Sequence, residues 1–195
     1  FTLSANQNCP LSQFFLGIIY YQNQFITGNI RKSIYYFSLA AKQNVPEAQL
    51  SLGIMYYLGL KLPKDVIKGQ QFIIKSSLNG CRLANFAHGF MLHEGRYIKR
   101  DIIEAIHFYK EASTFDIQYA KNNLGIIYKH GFGDYVNKRI GNAIEYFNEA
   151  IRQKNDVLSM YNLAHIYIYE ESIEQDINKS IDLLIKSSYR FDHSL

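Results

Sequence analysis

The sequence repeats itself at intervals of 36 residues, and this periodicity restricts the chain to architectures that grow by adding units. Three segments share the pattern L-G-x-x-Y, with their glycines at Gly17, Gly53 and Gly125. Gly89 lies midway between the last two, so four glycines follow one another 36 residues apart, and Ala164 follows 39 residues later. A repeat of this length is one supersecondary unit that must stack on its neighbours to bury its apolar side.

A second series of small residues runs in parallel with the first. Its members are 36, 36, 38 and 37 residues apart: Ser33, Gly69, Ala105, Ala143 and Ser180. Each is followed three residues later by a bulky side chain and seven residues later by another small residue. Spacings of three, four and seven residues place side chains on one face of an α-helix. Each unit is therefore predicted to contain two helices.

Polar residues and prolines mark where these helices should begin. Four predicted N-caps stand four residues before the small residue of the second series: Asn29, Asp65, Asp101 and Asp176. Their side-chain oxygens should accept backbone N–H groups of the second helix. Arg139 breaks this pattern in the fourth unit. Pro10 and Pro46 are predicted to begin first helices, where a missing N–H costs nothing.

With the link glycines Gly59, Gly95 and Gly131, the combination of L-G-x-x-Y and A-x-x-[YF]-x-x-x-A-[AS] resembles the Sel-one-like repeat family, a relative of the tetratricopeptide repeats. The resemblance covers the whole chain, although units three and five depart from it at His88 and Ala164. It implies an all-α fold, a right-handed α-α superhelical solenoid of helix-turn-helix repeats whose first helices line a concave groove. It also implies an adaptor, scaffold or inhibitor.

The two series divide a single solenoid over residues 1–195 into five units. We place them at 10–45, 46–81, 82–116, 117–155 and 156–195, with residues 1–9 as the end of a preceding repeat. An alignment of residues 1–21 with residues 37–57 gives 12 identities in 21 positions. We therefore expect at least one further repeat before Phe1 in the full-length protein.

Composition and charge narrow the class of protein further. Apolar residues make up 48% of the chain, and the 16 Tyr and 13 Phe exclude a disordered chain. The net charge of +4 does not indicate a nucleic-acid partner, and no apolar run reaches the length of a membrane span. We expect a soluble protein, in the cytoplasm, the bacterial periplasm or outside the cell, with its oligomeric state left open.

Cys9 and Cys81 are expected to be free thiols. They stand at equivalent places in units one and three. Neighbouring helices pack about 8–10 Å apart, so two units separate the pair by about 20 Å, far beyond the Cα–Cα limit of about 7 Å for a disulfide.

First-helix residues that point away from the L-G-x-x-Y face are predicted to bind a partner protein or peptide. They are Phe14, Ile18, Tyr21, Leu50, Ile54, Tyr57, Phe86, Phe90, His93, Asn122, Ile126, Lys129, Tyr161 and His165. The surface should be apolar and aromatic in the first units and more polar and basic in unit four, with aromatic anchors worth about 2 kcal/mol each if they act as hot spots. The alternative is that these residues form ordinary packing between units.

Basic residues concentrate in the links between the two helices of a unit. They are Arg31, Lys32, Lys61, Lys64, Lys68, Arg96, Lys99, Arg100, Lys138 and Arg139. Stacked links would form a positive ridge. A solvated edge is the favoured interpretation, and a surface for an acidic partner is the alternative.

No catalytic, cofactor or metal motif is found. His88 and His93 are five residues apart, a spacing that does not bring both to one helical face, and no second His completes a zinc-protease motif. Residues 131–134, GFGD, lack the strand that a cofactor loop requires. The sequence therefore predicts a protein-binding scaffold or adaptor that is not an enzyme. The alternatives are an immunity or inhibitor protein that blocks a toxin or enzyme, and a regulatory repeat domain of a larger enzyme.

Overall fold

The computed structural model describes residues 4–5, 7–22, 29–115 and 117–191. Within these ranges the chain forms ten successive helices of 12 to 15 residues. They are α1 (Pro10–Gln22), α2 (Asn29–Lys42), α3 (Pro46–Leu58), α4 (Val66–Leu78), α5 (Arg82–Glu94), α6 (Ile102–Ser113), α7 (Gln118–His130), α8 (Ile140–Lys154), α9 (Val157–Tyr169) and α10 (Ile177–Phe191). The prediction of an all-α fold is confirmed. Of the predicted helix end at residues 1–9, Ser4 and Ala5 are helical, and residues 1–3 and 6 lie outside the described residues.

The predicted helix starts agree with the structure. α1 begins at Pro10 and α3 at Pro46. Three predicted N-caps each accept the N–H three residues on: Asp65 from Lys68 at 3.0 Å, Asp101 from Glu104 at 2.9 Å and Asp176 from Lys179 at 2.9 Å. Asn29 is buried and is the first residue of α2, and residues 23–28 before it lie outside the described residues. Arg139 makes no side-chain cap for α8, as the broken pattern predicts.

The two series of small residues face each other within the helix pairs. The Ser33 hydroxyl donates to the carbonyl oxygen of Gly17 at 2.8 Å, and the Ser180 hydroxyl donates to that of Ala164 at 3.1 Å. Gly69 lies so close to the preceding helix that a Cβ there would be 2.5 Å from the backbone nitrogen of Tyr57. The small residues therefore set the distance between paired helices.

The aromatic residues one turn beyond the small residues fill the space beside these contacts. In three pairs the tyrosine of the first helix stacks almost parallel on an aromatic ring of the second: Tyr20 on Tyr36 at 4°, Tyr56 on Phe72 at 2° and Tyr128 on Tyr146 at 4°. Ring burial of this kind supplies much of the packing energy of such helix pairs.

The described residues fall into two compact units, residues 1–88 and 89–195. The first has a core between α2 and α3, formed by Phe37, Ala40, Ala41, Val45, Ala48, Leu52 and Met55. The second has a core between α8, α9 and α10, formed by Ile140, Ala143, Phe147, Met160, Leu163, Ala164, Ile166, Tyr167 and Leu183. Both cores include residues of the two series, such as Phe37, Ala40, Ala143 and Leu163.

Two fully buried glutamines link a first helix to the turn that follows the second helix of the same pair. Gln13 accepts the side-chain amide of Gln43 at 2.8 Å, and Gln49 accepts that of Asn79 at 2.9 Å. Gln49 also donates to the carbonyl oxygen of Ala41 at 3.1 Å. Because each buried amide is paired, it adds specificity to the packing without a large desolvation cost.

Cys9 and Cys81 are free thiols in this structure. Over the residues that the structure describes, each helix is too short or too polar to cross a membrane.

Candidate functional site

Three of the predicted partner-binding residues come together in the first compact unit. Ile18 and Tyr21 of α1 lie beside Ile54 of α3, and they line an open cleft of about 330 Å³, here termed the unit 1 cleft. Its other lining residues are Gln22, Phe37, Ser51, Met55 and Leu60. None of the described residues in this lining carries a charge, so the cleft suits an apolar side chain.

The floor and rim of the unit 1 cleft follow from the local sequence. Phe37 of α2 is buried beneath it, and its ring occupies space that a side chain at Gly17 would fill, since a Cβ there would lie 2.5 Å from the ring. Leu60 reaches the rim because Gly59 turns the chain sharply after α3 with a left-handed φ of 74°. The N–H of Leu60 then donates to the carbonyl oxygen of Met55 at 2.9 Å.

The rim of the unit 1 cleft is accessible to a partner. Tyr21 is 38% exposed, and Ile54 and Leu60 are each 39% exposed. Ile18 is half-buried between them and the core. Apolar side chains that are partly exposed lose further contact with water when a partner covers them, which favours association.

Two other predicted residues of the first unit, Leu50 and Phe14, belong to the packing between helices. Leu50 is buried, and Phe14 is half-buried with its ring centroid 5.9 Å from that of Phe37. Tyr57 and Phe86 are half-buried. The structure therefore gathers Ile18, Tyr21 and Ile54 at one surface and places Leu50 inside the fold.

In the second compact unit, Phe90 and His93 of α5 have different surroundings. Phe90 is 44% exposed. His93 is half-buried, with Nδ1 3.4 Å from the hydroxyl oxygen of Tyr109 and its ring edge-on to Phe132 at a centroid distance of 5.4 Å. Burial lowers the pKa of His93, which favours the neutral ring. His93 thus takes part in the packing of aromatic rings.

Two predicted residues of the later first helices, Lys129 and His165, lie close together. Lys129 Nζ lies 3.4 Å from Nδ1 of His165. Burial lowers the pKa of both groups, and the charge of Lys129 lowers that of His165 further. The charge of Glu170 acts in the opposite direction on Lys129. A neutral imidazole that accepts a hydrogen bond from the ammonium group is therefore favoured.

The remaining predicted residues of the second unit lie in three environments. Asn122 is buried and accepts hydrogen bonds from Ser159 Oγ at 3.2 Å and Asn162 Nδ2 at 3.1 Å. Ile126 is half-buried against the core of α8, α9 and α10. Tyr161 is 57% exposed. Asn122 therefore serves the packing of α7 on α9, and Tyr161 is available to a partner.

Lys32 and Lys68, predicted in the links, lie in the first turns of α2 and α4 and make a contact that sequence reasoning missed. Lys68 Nζ lies 4.2 Å from the ring centroid of Tyr56 and 3.0 Å from its hydroxyl oxygen. Two other repeats show the same arrangement: Lys32 over Tyr20 at 5.3 Å and Lys179 over Tyr167 at 4.5 Å. These cation–π contacts place the lysine that precedes the small residue of the second helix on the tyrosine of L-G-x-x-Y. That lysine recurs in three repeats, and this recurrence is the sequence feature that could have predicted the contact.

The described residues contain no group of three or more His, Cys, Asp or Glu side chains placed to hold a metal ion.

Paired helices with facing small residues, repeated ring stacks and capped second helices define an α-helical repeat protein. The family model of the Sel1 repeat matches residues 10–45, 46–81, 82–114, 118–155 and 157–190. The chain belongs to the Sel1 repeat family, whose members are generally scaffolds for protein interactions.

Solved structures with similar folds support the assignment of the fold. A Sel1 repeat protein from Oxalobacter formigenes is 24% identical, with a TM-score of 0.79 over 94% of this chain and 74% of that protein. A protective antigen of uropathogenic Escherichia coli strains, which displays an SLR fold, is 23% identical, with a TM-score of 0.73 over 97% of this chain and 48% of that protein. No curated protein sequence matches the chain.

Proposed function

We propose that the chain is a protein-interaction scaffold that binds a segment of a partner protein on its first helices, with the unit 1 cleft as the anchor. The observation that carries this proposal is the uncharged cleft of about 330 Å³, whose rim residues Tyr21, Ile54 and Leu60 are each more than a third exposed. Membership of the Sel1 repeat family supports the same kind of function.

The size and lining of the cleft favour an apolar side chain of a partner. Full burial of a large aliphatic or aromatic side chain contributes about 1.5–3 kcal/mol, and part of this is offset by the cost of association. One anchor of this kind is too weak for a stable complex alone. We therefore propose that contacts beyond the cleft add to the affinity.

We propose that the exposed and half-buried predicted residues supply these further contacts. In the first unit this is Tyr57; in the second unit, we propose that Phe90, His93, Ile126, Lys129, Tyr161 and His165 offer a separate surface to a partner. The mixture of apolar and basic groups suits a partner segment whose apolar anchor is accompanied by polar or acidic side chains. Leu50 and Asn122 are buried, so neither is proposed to contact the partner.

Affinity capture with two charge variants tests the proposal. Ile54→Asp places a carboxylate on the rim of the cleft, whereas Leu78→Asp places one at the end of α4, where the side chain is 74% exposed and lies outside the cleft. We expect Ile54→Asp to weaken binding of the purified partner at least about tenfold and Leu78→Asp to leave it unchanged. Circular dichroism should show that both variants are folded.

Equal binding by the wild type and Ile54→Asp would remove the cleft from the interface. The identity of the captured partner also separates the versions of this function. An enzyme or toxin whose activity falls on binding would make the chain an inhibitor, and two partners bound at once would make it an adaptor.

A further inference from the structure

The link between α7 and α8 has a fold of its own. It comprises residues 131–139, nine residues, whereas the link between α3 and α4 and the link between α5 and α6 have seven each. The additional residues form a small hairpin, in which the N–H of Phe132 donates to the carbonyl oxygen of Val136 at 2.8 Å. Gly131 and Gly133 make this turn possible, with φ values of 67° and 53°.

The hairpin is fixed against the preceding link by Phe132. The guanidinium carbon of Arg100 lies 4.9 Å from the ring centroid of Phe132, and Arg100 Nε donates to the carbonyl oxygen of His93 at 2.8 Å. The ring of Phe132 also stands edge-on to that of His93. These contacts hold the guanidinium group in a defined place before any ligand arrives, which lowers the entropic cost of binding one.

A cavity of about 410 Å³ lies between the two links, wholly within the second compact unit. Its walls combine two cations with apolar groups: Lys99, Arg100, Ile103, Phe132 and Tyr135. Tyr135 is 79% exposed and Ile103 is 54% exposed. The acidic residue of the lining, Asp101, uses its carboxylate to cap α6 by accepting the N–H of Glu104. The cavity therefore offers positive charge next to accessible apolar surface.

We propose that this cavity binds an acidic peptide segment in which an Asp or Glu carboxylate adjoins an apolar or aromatic side chain. The carboxylate would contact Lys99 and Arg100, because charge-assisted hydrogen bonds to guanidinium and ammonium groups are among the stronger polar contacts. The neighbouring side chain would lie against Ile103 and Tyr135, since aromatic residues are enriched in interfaces. A nucleic acid fits less well, since Asp101 lies beside the two cations and a phosphate backbone needs a longer row of them.

This site differs in chemistry from the unit 1 cleft. The described lining of that cleft carries no charged side chain, whereas the lining of the cavity between the links includes Lys99 and Arg100. The inference therefore does not depend on the proposed function, and a variant in one site leaves the other intact.

Selection of random displayed peptides on the intact chain, followed by fluorescence polarisation of a labelled selected peptide, tests the inference. We expect the selected peptides to carry Asp or Glu next to an apolar residue. Lys99→Glu should weaken their binding about tenfold, Tyr135→Ala should weaken it severalfold, and replacing the peptide's Asp by Asn should also weaken it, because the amide carries no charge. Binding should also weaken as ionic strength rises.

Lys64→Glu is the matched control, because Lys64 is an exposed lysine in the link before α4, where no inserted hairpin is present. It should leave the affinity unchanged. The inference is overturned if no peptide is enriched, if enriched peptides are basic, or if binding ignores both Lys99→Glu and Tyr135→Ala. If Ile54→Asp abolishes peptide binding instead, the peptides bind the unit 1 cleft and the inference is refuted. If a short single-stranded DNA competes with equal affinity, the ligand of the cavity is a nucleic acid and the proposal of a peptide is wrong.

Discussion

At the scale of single residues, the facing glycines have little tolerance for a side chain. A Cβ at Gly69 would lie 2.5 Å from the backbone nitrogen of Tyr57 and 2.8 Å from the carbonyl oxygen of Gly53. Backbone atoms cannot turn aside as a side chain can, so the helices themselves would have to separate. At Gly125 the nearest atoms belong to the ring of Phe147, at 2.5 Å.

Gly69→Ala should lower the free energy of unfolding by about 2 kcal/mol or more, although alanine is the better helix former by about 1 kcal/mol. Gly141→Ala in α8 is the control, because a Cβ there would meet open space among the described residues. It should leave stability unchanged or raise it. Urea unfolding followed by circular dichroism measures both, and a loss of equal size in the two variants would contradict the packing role assigned to Gly69.

His88 links the stability of the first unit to pH. It is buried, and its Nδ1 lies 3.3 Å from Ser77 Oγ. The Ser77 hydroxyl donates to Asn85 at 2.7 Å, so its oxygen is left to accept from the neutral imidazole. Burial lowers the pKa of His88 from its ordinary value of 6.5. The unfolded chain therefore binds a proton more readily than the folded chain in the window below that value.

Stability should accordingly fall as the pH is lowered from about 7.5 to about 5, since folding then opposes protonation. His88→Gln should reduce this fall without abolishing it, because burial also lowers the pKa of His93. Unfolding free energies at both pH values test this. A wild type that becomes more stable on acidification would refute it, and so would a variant with an unchanged pH dependence.

At the scale of the helices, the start of α8 shows how far local sequence determines structure. Arg139 precedes α8 with φ −140° and ψ 85°, nearly the values of Asp65 before α4, φ −139° and ψ 90°. The backbone thus has the N-cap conformation, but the arginine side chain does not accept a hydrogen bond there. The fold imposes this geometry even where the sequence does not favour it.

Arg139→Asp should raise the free energy of unfolding by about 1 kcal/mol, because a carboxylate in this conformation can accept a free N–H of the first turn. Asp101→Ala, which removes an existing cap, should lower it by a similar amount. Thermal unfolding of the two variants gives the comparison. If Arg139→Asp proves neutral while Asp101→Ala destabilises, the equivalence of the two caps is wrong.

Helix positions and pairings could be predicted because they depend on spacing within one repeat. The hydrogen bonds of buried Gln13 with Gln43 and of buried Gln49 with Asn79 could not, since Gln43 and Asn79 lie just beyond the ends of α2 and α4, outside the helical spacing. A pattern of apolar residues predicts only apolar side chains in the core. Burial of an amide can be predicted only when its hydrogen-bond partner is known. The same holds for Lys68, whose contact with Tyr56 depends on the distance between the paired helices.

At the scale of the whole molecule, equivalent positions in the repeats do not share one environment. Leu50, Asn122 and Tyr161 stand at the same place in their first helices, yet the first two are buried and Tyr161 is 57% exposed. Ile19 is 39% exposed, whereas its equivalents Ile127 and Ile166 are buried. Position in the repeat therefore predicted on which side of its helix a residue lies. Whether that residue is buried depended on the side chains around it. This is why only part of the predicted surface is accessible in the structure.

Oxidative footprinting of the tyrosines, with and without the purified partner, tests the central claim that the first helices bind a partner. Tyr21 borders the unit 1 cleft, and Tyr35 is 59% exposed on α2 outside it. We predict that the partner slows oxidation of Tyr21 by at least about threefold and leaves Tyr35 unchanged. Protection of Tyr35 with no change at Tyr21 would show that the partner binds elsewhere and would contradict the account.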